Sequence, residues 1–427
     1  MKGPSLGVGL VKSNTVTEAR NDNYCWVILG LLTLSQLAMS MGAYAWGPLA
    51  PFLRTEFNIS RAQVGLIVSV LYFTSVVIAI PSGLMIDRLG ARRMLVFALI
   101  SMGGFFALLS QVNVFSLFLI LAALSGIGYG MINQISTKGL MLWFSSKLRA
   151  TAMGIKQTGV TFGGALGAVM LPAIAVSLSW RWAVAVPGFL MIAVAILVVL
   201  GYRERPATVS ELNKVSDSRQ SSSMLKDLSR LRYRPELIIL CVVGAMMAAS
   251  QTSITSFLVL YLQEKLSFSM RAAGGCLTVF MMSGAAGRVC WGIISDRVFN
   301  GNRQKPMVIL CVVAFASALA VAFLSPAVPA WLCYSLGAVM GFVFMGWNAL
   351  SITLGAEIAG PELAGSVTGF TLTVIWAGII VGPPIFGVIT DNAGYFWGWL
   401  MLSLFGLLSA CLFTYSIRFT SRTRTNT

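Results

Sequence analysis

The 427-residue sequence contains no histidine, and only 10% of its residues are charged. Histidine is the side chain that most often changes charge near neutral pH and most often binds metals, so its absence removes both uses. Soluble domains carry roughly 25% charged residues, and a water-soluble fold of this composition would therefore lack a polar surface. The composition excludes soluble enzymes, nucleic-acid binders and secreted disulfide scaffolds.

Cysteine motifs are also missing. The seven cysteines stand singly, mostly within apolar stretches, and form no CxxC or Cys/His spacing. They are typical of small core residues. We therefore expect no metal site and no cofactor, and since the sequence shows no nucleophile–base pair, an enzyme is the least favoured class.

What the sequence has in abundance is apolar residues, which make up 57% of it. Apolar runs recur from end to end at lengths that can cross a hydrocarbon core of about 30 Å. Helices are expected, because a lipid-facing backbone must satisfy its own hydrogen bonds. We predict twelve spans: 25–53, 62–86, 94–111, 115–143, 151–178, 182–201, 236–262, 271–294, 307–325, 330–356, 365–390 and 397–417.

The spans fall into two groups of six. The predicted organisation is a cytoplasmic tail (1–23), a six-helix bundle (24–202), a cytoplasmic linker (203–235) with a short surface helix near 224–231, a second six-helix bundle (236–417) and a cytoplasmic tail (418–427). Residues 1–23 have no apolar core and do not resemble a cleavable signal.

The net charge of +16 is explained by topology. With both termini inside, the predicted cytoplasmic segments hold 22 Lys and Arg residues and the external loops hold 5. Cytoplasmic loops accumulate basic residues, so both termini are predicted to be cytoplasmic and no nucleic-acid partner is expected. The predicted location is the bacterial inner membrane, or a membrane derived from it.

Two predicted cytoplasmic loops repeat one motif at a separation of 209 residues, each after the second span of its half. The first copy reads Gly83-x-x-x-Asp87-Arg88-x-Gly90-x-Arg92-Arg93. The second copy reads Gly292-x-x-x-Asp296-Arg297, followed by Gly301, Arg303 and Lys305. Two copies in register indicate an internal repeat.

This motif resembles the signature loop of the major facilitator superfamily. The resemblance implies an all-α membrane protein of twelve transmembrane helices in two pseudo-symmetric six-helix bundles around a central cavity, working as a monomer in the lipid bilayer. It also implies that the motif residues act in gating and do not touch the substrate. The predicted gating residues are Gly83, Asp87, Arg88, Gly90, Arg92, Gly292, Asp296 and Arg297.

None of the 14 carboxylates lies in the middle of a span, whereas three cations lie within spans: Lys138, Lys156 and Arg288. Arg288 is about 12 Å from the cytoplasmic end of span eight, where an Arg costs about 2.5–3.5 kcal/mol unless it meets water or a partner. Gly284 and Gly287 are expected to leave room beside its guanidinium. The natural counter-ion is an anionic substrate.

Lys138 and Lys156 lie about 9 Å from the cytoplasmic ends of spans four and five. They either form a cationic vestibule or extend to the interface. Asn133 and Gln157 are candidates to add hydrogen bonds to a carboxylate. The remaining substrate contacts, Tyr44, Tyr129 and Trp376, are preferred because their helices line the cavity in the resemblance.

We therefore hypothesise a secondary transporter of a small organic anion, with Arg288 as the anion-binding group. The span-eight stretch from Gly287 to Asp296 resembles that of oxalate and monocarboxylate carriers. The alternatives are a carrier of iron as an anionic chelate, an efflux carrier for apolar drugs, and a non-transporting membrane receptor or assembly factor. A disruption of span eleven is expected at Pro383–Pro384, since neither residue can donate a backbone hydrogen bond.

Overall fold

A computed structural model describes residues 23–204, 235–359 and 364–425. These residues form fourteen α-helices and no strand, and the helices supply twelve segments long and apolar enough to cross a membrane. The all-α twelve-span architecture is thus confirmed. The predicted tail 1–22 and most of the linker, including its predicted surface helix, lie outside the described residues.

The first half of the chain contains seven helices, of which the first two form span one. They are α1 (Tyr24–Ala43), α2 (Trp46–Phe57), α3 (Arg61–Leu89), α4 (Ala91–Leu109), α5 (Phe115–Trp143), α6 (Ser146–Ser177) and α7 (Trp180–Gly201).

The second half also contains seven helices, of which the fourth and fifth form span ten. They are α8 (Pro235–Glu264), α9 (Met270–Arg297), α10 (Gln304–Ala322), α11 (Ala330–Phe344), α12 (Trp347–Ala359), α13 (Ala364–Ala393) and α14 (Tyr395–Thr425). The last helix continues beyond the predicted end at residue 417, since no Pro or Gly follows to stop it.

Span one is interrupted between α1 and α2, beside Tyr44. Pro48 lacks the N–H that the Tyr44 carbonyl would accept in a continuous helix. A new helix starts readily at this point, because Pro is well accommodated in the first turn of a helix.

Span ten is interrupted between α11 and α12 for a tertiary reason. The carbonyl of Phe342, which a continuous helix would offer to Gly346, accepts the indole N–H of Trp291 on α9 at 3.1 Å. A Cβ on Gly346 would collide with the Trp291 ring. Trp291 of α9 thus takes the Phe342 carbonyl as its hydrogen-bond acceptor and fills the space beside Gly346.

Small residues allow the helices within each half to approach closely. Gly159 and Gly163 of α6 pack against the backbone of α1 at Thr33 and Leu37. In the second half, Gly287 of α9 packs against the backbone of α11. Without a hydrophobic driving force between helices in lipid, such close packing is what holds neighbours together.

The two halves contact each other through α3 and α13, α6 and α9, and α2 and α8. The first of these contacts brings Gly65 against the backbone of Pro383 and Pro384. α13 is a helix on both sides of the two prolines. The prolines cannot donate backbone hydrogen bonds, so they leave carbonyls free, and one of these carbonyls is used in the contact between the halves.

The contrast between two glycines of α6 gives a test of this packing. Gly163→Ala places a Cβ into the Leu37 backbone, whereas Gly154→Ala meets no atom within 4 Å. We expect Gly163→Ala to destabilise the protein by about 1–3 kcal/mol. The control Gly154→Ala should be neutral or stabilising, because Ala favours helix by about 1 kcal/mol over Gly. Thermal unfolding in detergent measures both, and equal melting temperatures would contradict the packing argument.

Candidate functional site

Four aromatic side chains from both halves meet near the break in span one. The Tyr72 ring of α3 lies 5.7 Å from that of Tyr129 and 6.3 Å from that of Trp376, both edge-on. Tyr44 and Tyr72 line the same small cavity beside this break. Three predicted contacts are therefore brought together by a fourth residue, Tyr72, which was not among the predicted site residues.

Arg288 reaches this aromatic group from the second half. Its charge acts on the hydroxyls of Tyr44 and Tyr129, which belong to the first half. The side chain is only partly exposed, and its Nε has no hydrogen-bond partner although the atom is buried. Within the described residues no carboxylate pairs with this guanidinium. Arg288 is thus a cation whose described surroundings include tyrosines of the other half and no carboxylate partner.

Two of the small residues beside Arg288 take part in helix packing. A Cβ on Gly284 would meet the Met345 side chain, and one on Gly287 would meet the Phe342 backbone. Their small size serves the packing of α9 on span ten. That small neighbours also leave room for the guanidinium stays a prediction.

Lys156 lies in a second polar group, formed by α5 and α6. Its Nζ donates to Asn133 Oδ1 at 2.9 Å and to Gln157 Oε1 at 3.4 Å, and the residue is only 2% exposed. The structure thus places these three predicted contacts together.

Lys138 has different surroundings. Its Nζ donates to Asp87 Oδ1 at 2.8 Å and to the Ile86 carbonyl at 3.1 Å. Lys138 therefore joins the first copy of the repeated motif and lies apart from the Arg288 and Lys156 groups. In the same motif copy, Gly90 has φ +85°, a conformation that favours glycine, and Arg92 donates to the Val199 carbonyl.

The second copy of the motif is organised by Arg303. This side chain donates to Asp296, to Ser295 Oγ at 3.0 Å and to Glu357 Oε1 of α12 at 3.1 Å. It ties the end of α9 to span ten within one half. The other predicted gating residues, Gly83, Arg88, Gly292 and Arg297, also lie at this end of the molecule, and Arg88 and Arg297 are exposed.

The opposite end of the molecule is closed by ionic contacts between the halves, and we call it the closed end. Glu264 of α8 accepts from Arg54 of α2 and, at 2.7 Å, from Arg61 Nη2 of α3. The hydroxyl of Tyr395 donates to the same carboxylate at 2.7 Å. One carboxylate of the second half thus binds two guanidinium groups of the first.

A second carboxylate at the closed end completes a helix of the other half. Asp391 of α13 accepts the backbone N–H groups of Arg61 and Ala62 at 3.0 and 2.9 Å. These groups belong to the first turn of α3, where backbone donors have no helical partner and a negative charge is favourable.

A third contact between the halves uses a carbonyl that a proline leaves free. Pro384 cannot donate to the Ile380 carbonyl, which accepts the hydroxyl of Ser69 from α3. Further along the interface, Thr278 donates to the Ala165 carbonyl at 3.2 Å. The described hydrogen bonds that cross between the halves lie from the closed end to the middle of the molecule. The ion pairs Lys138–Asp87 and Arg303–Glu357, at the opposite end, each stay within one half.

Sequence reasoning missed this closed-end cluster. Arg54 and Arg61 were counted only as external charges, and Glu264 and Asp391 were left without a role. A signal was present in the sequence. The two cations flank spans of the first half, and the two acids flank spans of the second half on the same predicted side of the membrane. Such opposite charges suit a contact between halves.

The family profile described as Major Facilitator Superfamily matches residues 32–383. The probable sulfoacetate transporter SauU of Cupriavidus necator is 25% identical over 384 residues, covering 86% of this chain and 88% of the relative. The membrane sensor protein UhpC of Salmonella typhimurium is 24% identical over 333 residues, covering 75% of each chain.

Among solved structures, a bacterial homologue of the human lysosomal transporter Spinster, in an inward-facing and occupied conformation, superposes with a TM-score of 0.79. It is 17% identical and covers 92% of this chain and 97% of its own, so it supports the fold alone. The chain belongs to the Major Facilitator Superfamily. It is a multi-pass membrane protein with the fold of a secondary transporter, and it is not an enzyme.

The closed end predicts the effect of one substitution. Glu264→Gln removes the charge that holds Arg54 and Arg61, so the halves should separate more often at this end. Spin labels on Gln111 and Asn392, which are exposed on opposite halves, would report a longer distance population by pulsed electron paramagnetic resonance.

The control for this experiment is Glu56→Gln. The partner of Glu56 is Arg181, at 2.9 Å in the same half, so the distance distribution should stay as in the parent protein. A Glu264→Gln variant with an unchanged distribution would show that the ionic contacts do not maintain closure.

Proposed function

We propose that this protein carries a small organic anion, most simply a carboxylate, across the membrane by alternating access, with Arg288 as the anion-binding group. The observation that carries the proposal is the state of Arg288. It lies within a span, its charge acts on two tyrosines of the other half, and its buried Nε has no hydrogen-bond partner.

Among the described residues, no carboxylate neutralises the charge of Arg288. A charged Arg within a span costs about 2.5–3.5 kcal/mol or more unless it meets water or a partner. A bound carboxylate supplies that partner, and the planar guanidinium suits two parallel hydrogen bonds to its oxygens. Substrate binding would therefore make it easier to enclose Arg288 as the halves move together.

The aromatic group completes the proposed binding site. The charge of Arg288 acts on Tyr44 and Tyr129, and we expect the hydroxyls of both tyrosines to donate to the same anion. Tyr72 links them to Trp376 of the second half, whose ring would form an apolar wall. A ligand bound here would contact both halves at once, which is what alternating access requires.

The ionic contacts suggest how access would alternate. Under the predicted topology, the closed end faces outward and the two motif copies face the cytoplasm. Rocking of the halves would break the Glu264 and Asp391 contacts and bring the motif copies together. Asp87 and Asp296 are the proposed gating acids there, and Lys138 belongs with them in this proposal because it pairs with Asp87.

We also propose that the carrier is monomeric and consists of two units, bounded at 24–202 and 236–417. Its linker and both tails would be cytoplasmic, and its location would be a bacterial inner membrane or a membrane derived from it. The likeness to a probable sulfoacetate transporter supports an anionic substrate.

A second candidate function is a membrane receptor that binds its ligand without moving it. The likeness to a membrane sensor protein favours it. Flux into proteoliposomes separates the two functions, because a receptor would bind an anion and show no uptake.

Substitution of Arg288 tests the proposed function, with sulfoacetate and acetate as probes. Arg288→Met should abolish uptake into proteoliposomes and weaken binding roughly tenfold to hundredfold, as expected for losing a charged hydrogen bond of about 1.5–3 kcal/mol. Arg288→Lys should also fail, because an ammonium cannot form the two-pronged contact. Thermal-shift titrations of the purified protein measure the binding.

The control for these variants is Arg271→Met. Arg271 begins the same helix, but its side chain is exposed, so uptake and binding should be retained. Full uptake by Arg288→Met in protein that reaches the membrane would remove the argument for an anionic substrate.

A further inference from the structure

Lys156 is a buried cation with neutral partners only. Its Nζ donates to the amide oxygens of Asn133 and Gln157, and within the described residues it pairs with no carboxylate. By contrast, Lys138 and Arg303 each have a carboxylate partner at the same end of the molecule. The chain neutralises these neighbouring cations and leaves Lys156 without a counter-charge.

The two amides that contact Lys156 present donors at the protein surface. Because their oxygens point at the ammonium, their NH2 groups point away from it. The side chains of Asn133 and Gln157 are both exposed, and neither NH2 group donates to a protein acceptor within the described part of the chain. A positive charge behind each amide polarises it and strengthens the hydrogen bonds that its NH2 group donates.

This pair of amides is aligned with the Arg288 site. Asn133 lies four residues after Tyr129 on α5, so both side chains project from one face of the helix, about 6 Å apart along its axis. The Arg288 charge acts on Tyr129. The wall of α5 therefore runs from the Arg288 site to the amide pair within about one helical turn.

We propose that Asn133 and Gln157, oriented by Lys156, form a second anion subsite, and that the cargo therefore carries two anionic groups. One group would bind Arg288 in the second half and the other would bind the amide pair in the first. Lys156 acts as a positioning residue, since it reaches the ligand through the amides. This inference rests on the proposed function, because it takes Arg288 as the first subsite.

The test compares one monoanion with one dianion on the purified full chain. Acetate has a single carboxylate and malonate has two, separated by one carbon. We expect the unsubstituted protein to bind malonate more tightly than acetate, measured by thermal-shift and tryptophan-fluorescence titrations. The difference between the two affinities measures what the second carboxylate contributes beyond the contact with Arg288.

Asn133→Asp is the sharpest variant, because it gives Lys156 a carboxylate partner and keeps the ammonium satisfied in the fold. We expect malonate affinity to fall by about tenfold or more while acetate affinity changes little. Lys156→Met should produce the same selective loss by leaving the amides without orientation. Thr158→Val is the control, since the Thr158 hydroxyl donates to the Ile155 carbonyl of its own helix at 2.6 Å.

The outcomes separate the two proposals. An unchanged malonate-to-acetate ratio in Asn133→Asp, or equal affinities in the unsubstituted protein, would overturn the second subsite and leave Arg288 as the only anion site. Loss of both ligands in Arg288→Met, together with loss of malonate alone in Asn133→Asp, supports both proposals. Failure of the unsubstituted protein to bind either anion would overturn both.

Discussion

The site is organised around the unfavourable burial of one guanidinium. Arg288 cannot leave the membrane interior, because it belongs to a helix that packs on span ten through Gly284 and Gly287. Within the described residues it has no carboxylate partner, and its charge acts on Tyr44 and Tyr129 of the other half. In the part of the chain that the structure describes, neither half therefore supplies a counter-charge for Arg288. Any state in which the halves enclose this residue is favoured by a ligand of opposite charge.

Much of the fold was predictable because its main constraint is local. A helix that crosses a membrane must be about 20 apolar residues long, and the sequence shows twelve such segments with basic residues between them. The break in span one was not predicted, although Pro48, which removes a backbone donor, was a signal for it in the sequence. The break in span ten was not readable from the sequence, because it depends on Trp291 of another helix taking the Phe342 carbonyl. The partner of the Ile380 carbonyl, which Pro384 leaves free, was not readable either, since it is Ser69 of the opposite half.

The residue types of the proposed site were predictable from the sequence, but which of these residues contact each other was less so. Lys138 and Lys156 have the same predicted depth, yet one is paired with Asp87 and the other is covered by amides. That difference depends on which side chain the adjacent helix presents, and sequence spacing does not reveal it. Tyr72 was not among the predicted site residues, although in the structure its ring lies between those of Tyr129 and Trp376.

The charges of the closed end are divided by sign. Arg54 and Arg61 lie on the rim of one half, and Glu264 and Asp391 lie on the rim of the other. When the rims part, each attracts the other through water, and dissolved ions weaken that attraction over a Debye length of about 8 Å at physiological ionic strength. The closed end should therefore close again more slowly as the salt concentration rises, whatever the ligand.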